Sequence, residues 1–468
     1  MSKFSCTFIG IFSFIVSFFS FINIIYSNYF NHFLNLQSYF YSLIPSLLLA
    51  LTLLLIKKSN RKVSIYEKII IITFGYLFLP LLISAPYYFS IYDISFTNSY
   101  FEAISGFTST GFSIFENIKH IDQSLILWRS SIQWIGGLYF LFSIIFLIDI
   151  YDENFKKTLT NYISFNSSEV LKQGIKIFLL YSGLTLLIFL ILNLFSIRVF
   201  DSLNLALTLV SSGGFLPANN LSNIIKENSE KIILSFLMLT SFFSIFFIYN
   251  LVFSKNKNIN FFYEDLHLII YFTIVVSIFF LFFSFKNDFS INLLSISSSM
   301  SNIGFSLDNE KSNLSFVFLI LVIIGGSFFS TSSGLRFLKI YSLTKYSLNQ
   351  ILSFSKPKNI FMNKLMFAKI NFDFREINKY FLTILIFIIS LFVLTSCLSL
   401  SDINFENAFK LSILTLMNTV NSSAYGISEF DFQNLHFLTK YLLIFFMVIG
   451  RVELLTLLLI AKKFLFKY

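Results

Sequence analysis

The chain has 468 residues, of which 56% are hydrophobic and only 12% are charged. A soluble domain of this length needs far more charge to cover its surface, so the composition excludes a soluble enzyme or a soluble binding module. Apolar stretches of about 20 residues, the length that crosses a bilayer, recur along the whole sequence. The composition therefore predicts a polytopic membrane protein.

In chain order, ten stretches are long and apolar enough to form spanning helices, and they lie at 4–26, 39–56, 68–91, 124–150, 175–199, 231–254, 266–285, 313–341, 379–400 and 437–461. If the N-terminus is inside, most Lys and Arg residues fall on that same side, which is the bias of cytoplasmic loops. Both termini are therefore expected in the cytoplasm. The net charge of +10 follows from this sorting and from attraction to anionic lipids, so membrane lipid is an expected partner and nucleic acid is not.

Four shorter segments lie between spans on the outer side, and each is too short to cross the bilayer. They contain FEAISGFTSTGF at 101–112, NLALTLVSSGGF at 204–215, LSISSSMSNIGF at 294–305 and NTVNSSAYGI at 418–427. Alignment on the last glycine gives a shared Ser/Thr-x-x-Gly core, which reads Thr108-Ser109-Thr110-Gly111, Ser211-Ser212-Gly213-Gly214, Ser301-Asn302-Ile303-Gly304 and Ser423-Ala424-Tyr425-Gly426. One copy would indicate only close helix packing. Four copies predict a unit of helix, re-entrant segment and helix that is repeated four times.

The physics of such a segment restricts where it lies. Backbone that is not helical at membrane depth must be buried in protein or line a watery cavity, so the four segments are expected to meet on one axis. The apolar half of each would be a short helix whose partially negative C-terminal end faces a cation. The polar half would run back outward with its carbonyl oxygens toward the axis, and rings of carbonyl oxygens select alkali cations. The sixteen residues of the four cores are therefore the candidate cation filter.

At these residues the chain resembles the Trk/Ktr/HKT superfamily of potassium transporters. Three further stretches support the resemblance over nearly everything from residue 68 onward: Trp128 to Gly137 (WRSSIQWIGG), Gly325 to Gly334 (GGSFFSTSSG) and Met447 to Glu453 (MVIGRVE). The stretch from Gly325 to Gly334 departs from the family pattern at Phe328 and Phe329. In the fourth segment, Asn418-Thr419-Val420-Asn421 also resembles a filter in which Asn replaces glycine, but Gly426 is preferred because its distance to Gly450 suits the family's spacing.

The Gly- and Ser-rich stretch at 325–334, inside the eighth predicted span, is the candidate gate. A Gly- and Ser-rich stretch inside an apolar helix can unwind without exposing its backbone to lipid only if it faces the conduction path or packs as a kink. The resemblance implies an intramembrane gate below the filter. Arg451, a charge deep in the last span, needs a partner, and its candidates are Glu453 and the polar groups of 325–334. The preferred interpretation makes Arg451 an electrostatic barrier that contacts 325–334, and the alternative is structural pairing with a neighbouring helix. The gate residues are Gly325, Gly326, Ser327, Ser330, Thr331, Ser332, Ser333, Gly334 and Arg451.

Other charged residues receive simpler interpretations. Arg129, near the outer end of its span, either snorkels or, in the preferred interpretation, is a structural anchor. Six acidic residues are expected at the outer mouth, where they attract cations or form an ordinary solvated rim: Glu102, Glu116, Asp308, Glu310, Glu429 and Asp431. The four histidines show no pair at ligand spacing, and no phosphate-binding loop occurs, so neither a metalloenzyme nor a bound nucleotide cofactor is expected.

Together these observations predict an all-α polytopic membrane protein with four helix-pore-helix repeats in pseudo-fourfold arrangement, preceded by two extra spanning helices. The predicted divisions are 1–62 for the extra helices and 63–160, 161–258, 259–345 and 346–468 for the repeats. The expected function is potassium uptake across the cytoplasmic membrane, with Na⁺ or H⁺ as an open choice of coupling ion. The alternative is an ion-coupled transporter of a small organic solute. The resemblance also implies a homodimer and a cytosolic nucleotide-binding regulatory subunit, for which the basic loops 57–68 and 342–379 are candidate docking surfaces.

Overall fold

A computed structural model describes residues 3–55, 64–147, 170–253, 263–283, 289–307, 314–355, 374–427 and 430–452. In these ranges six helices are long and apolar enough to cross a membrane: Thr7–Tyr29, Leu36–Leu55, Ile65–Tyr88, Gly174–Leu194, Tyr263–Phe282 and Ile377–Ser399. The chain is therefore a multi-pass, all-α membrane protein, which confirms the predicted fold class.

The described helices are Lys3–Tyr29, Leu36–Leu55, Ile65–Ile83, Ala85–Tyr88, Phe96–Phe107, Gln123–Phe146, Val170–Leu194, Val199–Val210, Asn228–Met238, Ile245–Phe253, Tyr263–Phe283, Phe289–Met300, Ser315–Ile323, Phe337–Ser355, Phe374–Ser399, Phe405–Leu416 and Phe437–Val452. Short 3₁₀ turns lie at Ile118–His120, Leu221–Asn223 and Ser423–Tyr425. One small parallel pair, β1 (Ile324–Gly325) with β2 (Leu335–Arg336), interrupts the helical pattern.

The two N-terminal helices pack against each other and form a flank of the first repeat. A hydroxyl contact joins them, because Ser20 Oγ donates to Ser42 Oγ at 3.2 Å. The first helix also reaches the repeat through aromatic rings, with Phe12 in edge contact with Tyr139 at 4.8 Å between ring centroids. The extra helices are thus part of one continuous core rather than a separate unit.

Each of the four repeats contains one re-entrant helix of twelve residues, which we number in chain order: Phe96–Phe107, Val199–Val210, Phe289–Met300 and Phe405–Leu416. Their C-terminal halves are buried. The first begins at Ser95, whose side chain accepts a hydrogen bond from the Asn98 amide and so satisfies a free donor of the first turn.

Within the described residues, a single turn residue, Ser84, divides the third predicted span, and longer non-helical segments interrupt the sixth and the eighth. The eighth is interrupted by the residues from 324 to 336, as the Gly/Ser composition predicts. The sixth, predicted as one helix over 231–254, is instead divided into Asn228–Met238 and Ile245–Phe253. We call residues 239–244, with sequence LTSFFS, the helix break. Because this segment contains Leu and Phe residues, a hydropathy profile does not show the interruption. The contacts described below explain why it forms.

Candidate functional site

All four re-entrant helices end in the same backbone motif. The second residue beyond each helix has positive φ: Ser109 (57°), Ser212 (55°), Asn302 (58°) and Asn418 (47°). The amide of the next residue then donates to the carbonyl five residues earlier, as Thr110 does to Ser105 at 2.9 Å and Thr419 does to Leu414 at 2.9 Å. This is the Schellman motif, in which a left-handed residue turns the chain and satisfies a free helix carbonyl. The four ends are therefore equivalent in backbone geometry.

The motif sets the register of the four segments. Counting from the helix end, the equivalent tetrapeptides are Thr108–Gly111, Ser211–Gly214, Ser301–Gly304 and Met417–Val420. The first three are the tetrapeptides predicted from the sequence. The fourth differs: Val420 lies at the position that Gly111, Gly214 and Gly304 hold in the other repeats.

The predicted fourth tetrapeptide, Ser423 to Gly426, is therefore in the wrong register. Ser423, Ala424 and Tyr425 form a 3₁₀ turn, and Gly426 ends that turn with φ of 70°. A Cβ on Gly426 would approach Lys410 and Ser315 rather than the other three tetrapeptides. The alternative that places Asn421 at the glycine position is wrong by one residue. Alignment on the last glycine caused the error, whereas counting from the end of the apolar segment identifies Val420.

Hydrogen bonds join neighbouring tetrapeptides around the ring. Asn418 Nδ2 donates to Thr110 Oγ1 at 2.9 Å, and Asn302 Nδ2 donates to Thr419 Oγ1 at 3.2 Å. Ser212 Oγ donates to the Ser301 carbonyl at 2.5 Å. These bonds link the fourth repeat to the first, the third to the fourth, and the second to the third.

Close backbone approach completes the ring between the first two repeats. A Cβ placed on Gly111 would lie 2.7 Å from the Gly214 Cα, and Gly111 has φ of 84°, which side chains disfavour. Gly304 repeats this conformation with φ of 85°. Glycine is thus required at both positions, for conformation and for space.

A buried ion pair supports the first tetrapeptide from behind. Arg129 Nε lies 2.9 Å from Glu102 Oε1, and both side chains are at most 1% exposed. Glu102 also accepts from the Ile114 amide at 2.8 Å, and Arg129 donates to Ser113 Oγ at 2.8 Å. The Arg129 guanidinium lies over the Phe215 ring at 4.1 Å. Arg129 is therefore a structural anchor and does not snorkel, whereas the prediction that places Glu102 at the outer mouth is wrong.

The predicted interruption of the eighth span forms a compact loop. β1 and β2 bring its two ends together, with Ile324 opposite Leu335 and Gly325 opposite Arg336. Gly334 has φ of 84°, and a Cβ there would lie 2.9 Å from the Gly325 backbone, so the closure requires small residues. We call residues 325–334 the loop.

Polar residues fill the loop and hold its shape. Arg336 Nη1 donates to the Ser327 carbonyl at 2.9 Å, to Ser330 Oγ at 3.1 Å and to the Ser332 carbonyl at 3.1 Å. Thr331 Oγ1 donates to the Val210 carbonyl at 2.7 Å, at the C-terminal end of the second re-entrant helix. The loop therefore lies directly against the end of a re-entrant helix.

The helix break and the loop are hydrogen-bonded to each other. The Ser327 amide donates to the Phe242 carbonyl and the Ser332 amide donates to the Ser241 carbonyl, both at 3.0 Å. Phe329, one of the departures from the family pattern, accepts from the Ile245 amide at 3.2 Å and is buried. Each interruption thus satisfies backbone groups that the other leaves free, which explains why the sixth span breaks.

Two buried carboxylates at the start of the helix Tyr263–Phe283 complete this contact. Glu264 accepts from the Phe328 amide at 3.1 Å in the loop, and Asp265 accepts from the Ser244 amide at 2.8 Å in the helix break. Sequence reasoning did not assign either residue. The available signal was a pair of acids at the beginning of an apolar span, where charge is costly without a partner.

Arg451 makes the contact with the loop that the sequence predicts. Its Nη1 donates to Ser333 Oγ at 2.5 Å, and its Nη2 lies 3.5 Å from Ser109 Oγ. The guanidinium also lies over the Phe140 ring at 4.1 Å, and the side chain is 1% exposed. Arg451 therefore bridges the loop and the end of the first re-entrant helix.

The remaining acidic positions are distributed differently. Glu116 is exposed, and Asp431 is exposed and accepts from the Asn434 amide at 3.1 Å. Asp308, Glu310 and Glu429 lie outside the described residues. Within the described ranges, no group of three His, Cys, Asp or Glu residues could hold a metal ion.

Comparisons with known proteins agree with this architecture. No family model matches the chain. It is 23% identical over 396 residues to an uncharacterized cation transporter of Methanocaldococcus jannaschii, covering 81% of this chain and 79% of that protein. It is 22% identical to the Trk system potassium uptake protein TrkH of Escherichia coli, covering 86% of each. The crystal structure of the potassium transporter TrkH from Vibrio parahaemolyticus shares the fold, with a TM-score of 0.81, 16% identity and 98% of each chain covered.

Proposed function

The chain belongs to the Trk/Ktr family of membrane subunits, and from that premise we propose that it carries potassium ions into the cell through the ring of four tetrapeptides. The observation that supports this proposal best is the fourfold repetition of one backbone motif. Four helix ends present the same turn to one another in a buried site. A packing motif needs no such equivalence, whereas a ring of carbonyl ligands around a cation does.

The proposed filter consists of backbone oxygens of Thr108 to Gly111, Ser211 to Gly214, Ser301 to Gly304 and Met417 to Val420. Each re-entrant helix adds the partial negative charge of its C-terminal end, which stabilises a cation there. The membrane potential would drive uptake, since it contributes about 2.3 kcal/mol per charge for each 100 mV.

The proposed gate is the loop together with Arg451. Arg451 bonds to Ser333 on the loop and approaches Ser109 below the ring, so a positive charge lies beside the path that a cation would follow. Cation passage then requires the loop and the guanidinium to move aside. In this closed arrangement Arg451 repels cations and ties the loop to the first repeat.

The remaining assignments complete the proposal. We place the protein in the cytoplasmic membrane with both termini inside, as a homodimer that binds a cytosolic nucleotide-binding regulatory subunit. The support is the sequence distribution of Lys and Arg and the family membership. Na⁺ or H⁺ is the proposed coupling ion if the protein is a symporter.

The test is growth rescue at low external potassium in a bacterial strain that lacks its own uptake systems. The wild-type chain should rescue growth, and Gly111→Asp should not, because a Cβ at Gly111 collides with the Gly214 backbone and an acidic group would bind the ion tightly. Gly183→Ala is the matched control, since a Cβ at Gly183 meets nothing within 4 Å.

Membrane expression of each variant is verified by immunoblot. Failure of the expressed wild-type chain to rescue growth would refute potassium uptake. Equal rescue by Gly111→Asp would remove the first tetrapeptide from the filter.

A further inference from the structure

The ring of tetrapeptides is not chemically symmetric, because its fourth position carries a β-branched side chain. Gly111, Gly214 and Gly304 are buried, while Val420 is partly exposed. The hydrogen bonds between neighbours run from the fourth repeat to the first, from the third to the fourth and from the second to the third. The second and fourth repeats therefore face each other across the ring.

Val420 nevertheless contacts the repeat opposite. A Cβ placed on Gly214 would lie 2.5 Å from the Val420 Cβ, 3.0 Å from its Cγ1 and 3.2 Å from its Cγ2. A Cβ placed on Gly304 would lie 2.7 Å from the Val420 Cγ1. One isopropyl group thus packs against the glycines of both the second and the third repeats. The side chain therefore projects from the fourth repeat toward the repeat opposite.

We propose that the Val420 side chain is a constriction inside the filter that limits the rate of ion passage and weakens its selectivity. This inference rests on the proposed function. An ion that sheds its hydration shell needs oxygen ligands in exchange, and methyl groups provide none. Apolar constrictions also resist wetting, so ions cross them slowly. The other three glycines leave room at this level, and Val420 occupies it.

The structure explains why this residue is tolerated. Val420 has no positive φ, whereas Gly111 and Gly304 do. The turn that sets the fourth tetrapeptide is made by Asn418, as the equivalent residue makes it in the other three repeats, and a hydrogen bond from Asn418 Nδ2 to the Met447 carbonyl at 2.9 Å also holds it. Replacement of Val420 by glycine should therefore leave the backbone of this repeat in place and remove only the side chain from the axis.

The experiment measures initial rates of rubidium uptake, as a tracer for potassium, into cells that express equal amounts of each variant in the membrane. Val420→Gly should raise the rate about tenfold, which corresponds to about 1.4 kcal/mol in the barrier. Val420→Ala should give an intermediate rate, and Val420→Ile a rate below wild type. Ile427→Ala is the matched control, because it removes a buried β-branched side chain that follows the same segment.

Competition by sodium gives a second readout that a merely structural role would not change. Completing the ring with a fourth glycine should make rubidium uptake less sensitive to added Na⁺. If the wild type transports rubidium while Val420→Gly and Val420→Ala match it in rate and sodium sensitivity, the constriction is refuted and the proposed function stands. If neither the wild type nor Val420→Gly transports rubidium, both proposals fail.

Discussion

Among individual side chains, the Glu102–Arg129 pair is the clearest source of stability beside the first tetrapeptide. Both groups are buried, so removal of one partner leaves an uncompensated charge, which costs about 3–5 kcal/mol. We therefore expect Arg129→Met to lower the thermal unfolding temperature of the detergent-purified protein strongly. The double variant Glu102→Gln with Arg129→Met should recover part of that loss, because it leaves no lone charge. Equal destabilisation by the single and double variants would contradict the pair's role.

Among the elements, the loop allows the proposed gating to be tested separately from the proposed filter. If Ser333 must release Arg451 for the path to open, Ser333→Ala removes a hydrogen bond to a charged group that is worth about 1.5–3 kcal/mol. Rubidium uptake should then rise roughly tenfold at the low end of that range. Deletion of residues 327–333 should also raise uptake. Ser347→Ala, on an exposed helical face, is the control for the same chemical change.

An unchanged rate in both Ser333→Ala and the deletion would show that the loop is not a gate. A fall in uptake with normal expression would instead assign the loop to the support of the second re-entrant helix, whose Val210 carbonyl accepts from Thr331.

For the complete protein, the proposed orientation predicts which positions external reagents reach. We expect Glu116→Cys, between the first re-entrant helix and the following helix, to react with a membrane-impermeant maleimide in intact cells. Ser64→Cys, between the second and third helices, should react only after permeabilisation. Both positions are exposed in the structure, so reactivity reports the side of the membrane. The two native cysteines, Cys6 and Cys397, are replaced by serine in the test chain. The opposite labelling pattern would invert the topology.

The sequence predicted those parts of the molecule that depend on local pattern. Apolar length indicates the spans, and the first three Ser/Thr-x-x-Gly cores begin at the residue that follows a re-entrant helix. Glycine does not mark the fourth tetrapeptide, as the prediction of Ser423 to Gly426 requires, because the turn is made by Asn418 and the ring position is held by Val420.

Contacts between residues that are distant in sequence cannot be predicted from local pattern. The helix break at 239–244 contains Leu and Phe, and it forms because the amides of Ser327 and Ser332, far along the chain in the loop, donate to its carbonyls. The burial of Glu102 likewise depends on Arg129 in another helix. A single sequence shows the cost of such charges in a membrane but does not show which groups compensate them.

The shared Schellman turns have a consequence for how this protein can vary. Each turn is held mainly by bonds within its own helix end, as Thr110 to Ser105 and Thr419 to Leu414 illustrate. The four parts of the ring lie in one polypeptide, so a substitution alters one part alone, whereas in a homotetramer it would appear four times at once. In this architecture each of the four ring positions can therefore change independently of the other three. Val420 is one such change, and the other three positions keep their glycines.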